Sequence, residues 1–167
     1  MTDSGTAAAL ATALEAEKQS LRGYMRLAWE TQDSAGKQMF IRLATDEFEH
    51  MRLLETWQVD NRPPDTIDRS AIERLVPRLS DKSLQIRGKS GQHQLDALNA
   101  ALELEQSARD FYEEQARQTS PGPARDAFKR LAEMESAHYA LLQAEIDNIQ
   151  QTGFWFDLPE FTLESER

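Results

Sequence analysis

Shifted by 88 residues, this chain of 167 residues lies over itself without a gap. From Ala13/Ala101 to Leu54/Leu142, 15 of the 42 aligned pairs are identical. "ALEAEKQSLRGY" (Ala13 to Tyr24) falls on "ALELEQSARDFY" (Ala101 to Tyr112). "FIRLATDEFEHMRLL" (Phe40 to Leu54) falls on "FKRLAEMESAHYALL" (Phe128 to Leu142). Such self-similarity means one supersecondary unit used twice, and a unit that cannot bury its apolar face alone must pack on its copy.

Each copy reads as a helical hairpin. The 7 glycines and 6 prolines are clustered, which leaves long uninterrupted tracts. Leu10, Leu14, Glu17, Leu21, Tyr24 and Ala28 recur at three- and four-residue steps, the spacing of one helix face, and predict a helix from about Thr6 to Glu30. "TQDSAG" (Thr31 to Gly36) reads as a loop carrying a cap for the next helix. That helix runs to about Val59, with Phe40, Leu43, Ala44, Glu47, His50 or Met51, and Leu54 inward. The prolines of "DNRPPD" end it. A third helix is expected from about Gln94 to Gln118 and a fourth from Ala124 to Gln151, with Gly153 as C-cap.

Short loops make antiparallel neighbours, and residues 60–92 form one long connection, with room for a short helix around Ile72, Leu75, Val76 and Leu79. The expected fold is all-α: an antiparallel four-helix bundle with one long crossover between helices 2 and 3. It occupies a single domain, 1–167, made of hairpin 6–59, crossover 60–92, hairpin 94–151 and an aromatic tail 153–167.

The polar residues on the apolar stripes carry the functional information. Glu17 repeats as Glu105, Tyr24 as Tyr112, Glu47 as Glu135 and His50 as His138. Glu47 and His50 are three residues apart, as are Glu135 and His138, so each pair projects from one helix face. One Glu from each of two helices plus Glu-x-x-His from each of the other two is the donor set of a dinuclear carboxylate site. Four ionised glutamates in an apolar interior would be costly unless cations balance them, and two divalent ions do so. Oxygen-rich ligation with one imidazole per ion suits iron or manganese rather than structural zinc. Glu15 and Glu103 also repeat but lie off phase, as does Glu49, and all three are expected in solvent. His93 has no repeat partner and reads as a capping or surface residue. Tyr24 and Tyr112, two turns beyond Glu17 and Glu105, read equally as core packing with a buried hydroxyl bond and as donors to a carboxylate of the opposite hairpin that could pass an electron.

The motifs "EKQSLRGY", "EFEH", "EQSARDFY" and "ESAH" resemble those of the ferritin-like superfamily, specifically its rubrerythrin and bacterioferritin group, over roughly Leu10 to Ile149. The resemblance implies a di-iron centre, two Fe ions held by Glu17, Glu47, His50, Glu105, Glu135 and His138, with Glu47 and Glu135 bridging. It implies an oxidoreductase that reacts with hydrogen peroxide or dioxygen in oxidative-stress protection, and a homodimer. Peroxidase-type relatives carry an extra carboxylate one turn beyond the third-helix ligand; here that position is Ala108, and its repeat mate is Ser20. The bacterioferritin haem methionine is replaced, since Phe48 follows Glu47, so no haem is expected. Asp46 is a candidate partner for a ligand histidine. The alternatives are a ferroxidase or iron-storage protein and a non-catalytic helical interaction protein.

Composition narrows the partners. With no cysteine, the chain has no disulfide and no thiolate metal site, and its electrons are expected from an external donor. A net charge of −10 argues against nucleic acid and anionic membrane. No basic residue precedes the N-terminal alanines, which is unlike a signal peptide, and a cytoplasmic location is expected. The tail holds Phe154, Trp155, Phe156 and Phe161, expected to fold back over the bundle.

Overall fold

The computed structural model describes residues 4–64 and 92–155. The short helix predicted around Ile72 to Leu79, and the tail beyond Trp155, lie outside the described residues. The chain forms helices α1 (Ser4–Glu30), α2 (Ser34–Asp60), α3 (Gln92–Gln118) and α4 (Pro123–Thr152). None of them is long and apolar enough to cross a membrane.

The helix ends follow from local chemistry. Asp33 has extended backbone, and its carboxylate accepts from the N–H groups of Ala35 (2.8 Å) and Gly36 (3.1 Å). Capping these orphan donors starts α2 at Ser34, so Ser34, Ala35 and Gly36 form its first turn rather than the loop expected from their composition. α4 opens on Pro123 and closes on Gly153, whose left-handed φ of 78° lets its N–H donate to Ile149 O at 2.8 Å. The matched residues Thr31 and Thr119 each donate a hydroxyl bond to the carbonyl four residues back, Leu27 (2.6 Å) and Gln115 (2.7 Å). The two hairpins thus end their first helices alike.

Cross-bundle pairs give the helix directions. Tyr24 meets Glu105 and Tyr112 meets Glu17, so α1 and α3 run antiparallel. Glu47 meets His138 and His50 meets Glu135, so α2 and α4 do too. α1 packs on α2 through a three-residue loop and is antiparallel to it. α2 and α3 therefore run the same way. Parallel second and third helices are what the predicted connectivity requires, while the crossover itself lies outside the described residues.

Two apolar clusters fill the interior. One joins Tyr24, Phe40 and Leu43 to Leu98, Leu142 and Ile149. The other joins Leu10, Leu54 and Trp57 to Tyr112, Phe128 and Leu131. Each large apolar side chain buried this way contributes about 1.5–3 kcal/mol, which offsets the cost of the polar band between the clusters. Trp155 seals the first cluster. Its ring meets Phe40 edge-on at 5.7 Å, and its indole N–H donates to Gln94 Oε1 at 3.3 Å. It also lies on Gly36, where a Cβ would come within 2.6–2.8 Å of the ring. The beginning of the aromatic tail thus folds back on the bundle, while Phe154 remains exposed.

Candidate metal centre

Between the two apolar clusters lie Glu17 (α1), Glu47 and His50 (α2), Glu105 (α3), and Glu135 and His138 (α4), all buried. Each sits on the inner stripe of its helix, which is why a three-residue step brings Glu47 beside His50 and Glu135 beside His138. His50 Nδ1 lies 3.0 Å from Glu135, 3.4 Å from Glu17 and 3.8 Å from Glu47. His138 Nδ1 lies 3.1 Å from Glu47, 3.4 Å from Glu105 and 3.5 Å from Glu135. The two imidazoles stack with centroids 5.4 Å apart.

Two groups that could hold a metal ion result: Glu17, Glu47, His50 and Glu135, and Glu47, Glu105, Glu135 and His138, each with its donor atoms within 4.8 Å of one another. Glu47 and Glu135 belong to both groups. The close approaches lack the geometry of hydrogen bonds. Glu47 Oε1, Glu105 Oε2, Glu135 Oε1 and both Nδ1 atoms are buried without a hydrogen-bond partner among the described residues. Buried polar atoms are nearly always paired, so a cluster of orphans converging on common points fits cations as the missing partners.

Electrostatics agrees. Burial pushes Glu47 well above the ordinary carboxylate range and Glu105 up to about 7. Burial acts on Glu135 in the same sense, but the neighbouring His50 and His138 outweigh it and hold Glu135 well below that range. Burial disfavours a charged imidazole, yet Glu135 and Glu17 raise His50 well above its usual value. Asp46 and Glu105 lead the same effect on His138. Protons thus take the place of cations when no metal is bound.

Tyr24 donates its hydroxyl bond to Glu105 and Tyr112 donates to Glu17, each across to the opposite hairpin. Burial, and then the charge of the facing carboxylate, raise both hydroxyls well above 10, so they remain donors. Asp46 reaches His138, its Oδ2 lying 3.4 Å from Nε2.

Glu15 and Glu103 are exposed as expected, but Glu49 is not: it is only 8 % exposed and engaged in contacts of its own. Phase tells which residues face the bundle interior, not what covers a helix elsewhere. Glu145 was missed. It is only 3 % exposed, seven residues after His138 on the same stripe, a signal that phase alone could have supplied. His93 falls in the first turn of α3, and its side chain lies outside the described residues.

Comparison with known proteins gives the family and the fold. The family model described as Rubrerythrin matches residues 8–146, a span that contains both hairpin copies and all six converging residues. A hypothetical protein from Pyrococcus furiosus superposes with a TM-score of 0.66 at 23 % identity, covering 87 % of this chain and 90 % of that one, and shares the fold. No curated protein matches. The family supports a di-iron carboxylate protein, in keeping with buried glutamate and histidine groups that could hold metal. With its all-α, ferritin-like four-helix bundle, this chain belongs to the rubrerythrin family.

Proposed function

We propose that the chain is a di-iron oxidoreductase that reduces hydrogen peroxide or dioxygen, with Glu17, Glu47, His50, Glu105, Glu135 and His138 holding two iron ions. The observation that carries this reading is the pair of four-residue groups sharing Glu47 and Glu135. Glu47 and Glu135, common to both groups, would hold both ions. Two ferrous ions held by these residues would supply the two electrons that peroxide needs, with two protons, to become two waters.

The chain's own residues position and shield the donors. Tyr24 and Tyr112 hold Glu105 and Glu17 in place and keep protons of their own. In the metal-free protein burial pushes the Glu105 carboxyl up to about 7, so an ion held there displaces a proton near neutrality. The flanking apolar clusters keep bulk water from the donors. The chain holds no cysteine, so the electrons are proposed to come from a separate donor. A homodimer is proposed on the strength of Trp29 and Met25, one turn apart on α1 and 85 % and 60 % exposed.

A second reading, a ferroxidase that loads iron for storage, is favoured by Ala108, which stands where an extra carboxylate would make the peroxidase-type ligand set. Anaerobic ferrous loading of the apo-protein separates the two. Two irons per chain, oxidised faster by peroxide than by dioxygen, supports the first. Many irons per chain in a large assembly supports the second, and failure to bind metal overturns both.

A further inference from the structure

The repeat makes the Glu17–His50 and Glu105–His138 positions pseudo-equivalent, and two features break the equivalence. The first lies behind the histidines. His138 Nε2 faces Asp46 at 3.4 Å, whereas the residue matched to Asp46 in the other copy is Met134. His50 Nε2 is buried with no hydrogen-bond partner among the described residues. A carboxylate behind a ligand histidine fixes its ring and raises its basicity, and its loss typically costs about 10–100-fold in metal affinity.

The second feature is a cleft of about 340 Å³ between α1 and α3. It reaches Glu17 and Tyr112, while Glu105 and Tyr24 are not among the residues lining it. Ala16, Ser20 and Ala108 leave the space, and Leu104 and Phe111 form its apolar side. The positions matched to Leu104 and Phe111 are Ala16 and Gly23, so the two faces of the cleft differ. Apart from Glu17 its described lining carries no charge, only hydroxyl, amide and hydrocarbon groups. Such a lining admits small uncharged molecules and penalises ions, which would shed their water.

We infer that the two metal positions are functionally distinct: the Glu105–His138 position retains its ion, while the Glu17–His50 position holds metal more weakly and receives a small uncharged molecule arriving through the α1/α3 cleft. This rests on the metal-binding reading above. Ala108 and Ser20 are then positioning residues that keep the path open.

The test begins with the metal alone. Titrating the apo-protein with Co(II) is expected to show two steps per chain, the first at least about 10-fold tighter. Asp46→Asn should weaken the tight step and bring the two within a few-fold of each other. Nitric oxide, a small uncharged probe, is then mixed with the ferrous-loaded protein and its binding followed spectroscopically. Ala108→Phe, and independently Ser20→Leu, should slow that binding about tenfold or more while two metals still bind. Unchanged metal stoichiometry and helical content certify that a variant is folded, and either variant suffices for the test. Two equal steps, an Asp46→Asn effect shared equally by both steps, or unchanged nitric oxide kinetics in a folded variant would overturn the inference yet leave metal binding standing. No metal uptake at all would instead remove the reading beneath it.

Discussion

Tyr24 on α1 donates its hydroxyl bond to Glu105 on α3, and the repeat supplies the reverse pair, Tyr112 to Glu17. Each bond ties the two hairpins across the centre. Hydrogen bonds to charged or buried acceptors contribute about 1.5–3 kcal/mol. Tyr24→Phe and Tyr112→Phe should each destabilise the apo-protein by that amount in urea unfolding. The two values should agree within a factor of two, and a cost near zero for either would show that its bond adds nothing.

The pH dependence of the apo-protein should run opposite to that of most acidic proteins. Glu105 moves from 4.5 to about 7 on folding, and His50 and His138 also rise above 6.5. A group with a raised folded pKa adds stability at pH below its unfolded value, and that stability is lost as pH climbs through the folded one. Metal-free protein should therefore melt at higher temperature at pH 5 than at pH 8. Glu135, held low, opposes this only below about pH 4.5, where its unfolded form protonates. Metal displaces the same protons, so loading at pH 7 should release protons into a weak buffer and tighten as pH rises.

Glu47 is the shared carboxylate whose charge burial disfavours most plainly. Glu47→Gln keeps the shape and removes the charge, so the apo-protein should be as stable or more so, by up to about 2 kcal/mol. The same variant should lose the rise in melting temperature that Mn(II) or anaerobic Fe(II) gives the parent protein. A variant that destabilises the apo form and still responds fully to metal would contradict this account of the site.

Gly36 lies under the Trp155 ring with no room for a Cβ. Gly36→Ala should cost about 1–3 kcal/mol through overpacking and should shift the tryptophan emission as Trp155 is displaced. In the Trp155→Ala background the same substitution should cost little, because the clash is gone. Equal costs in both backgrounds would refute the contact.

Trp29 and Met25 form an exposed apolar pair on α1. If they seat a second copy, Trp29→Glu combined with Met25→Lys should turn a dimer into a monomer by light scattering, with helical content unchanged. A parent protein that is monomeric at tens of micromolar would refute the proposed homodimer.

The amino-acid sequence by itself determined the helices, the duplication and the six converging residues. All of these are written in the direction of a side chain around its own helix, and that direction is a local property. Glu17, Glu47 and His50 could be placed inward from spacing, and the 88-residue offset repeated the set as Glu105, Glu135 and His138. Phase placed Tyr24 inward but left core packing and a bond to the opposite hairpin equally open, and the fold decided for the bond to Glu105. What the tertiary structure alone decided is how the four inner stripes meet. Rotation and depth of one helix against another bring Glu47 and Glu135 into both donor groups, set Asp46 behind His138 but no hydrogen-bond partner among the described residues behind His50, and open the cleft on the Glu17 side. They also bury Glu49, which phase had left in water. These outcomes depend on the packing of all four helices at once, since a shift of one turn between neighbours would leave every stripe intact while changing which carboxylates share a centre.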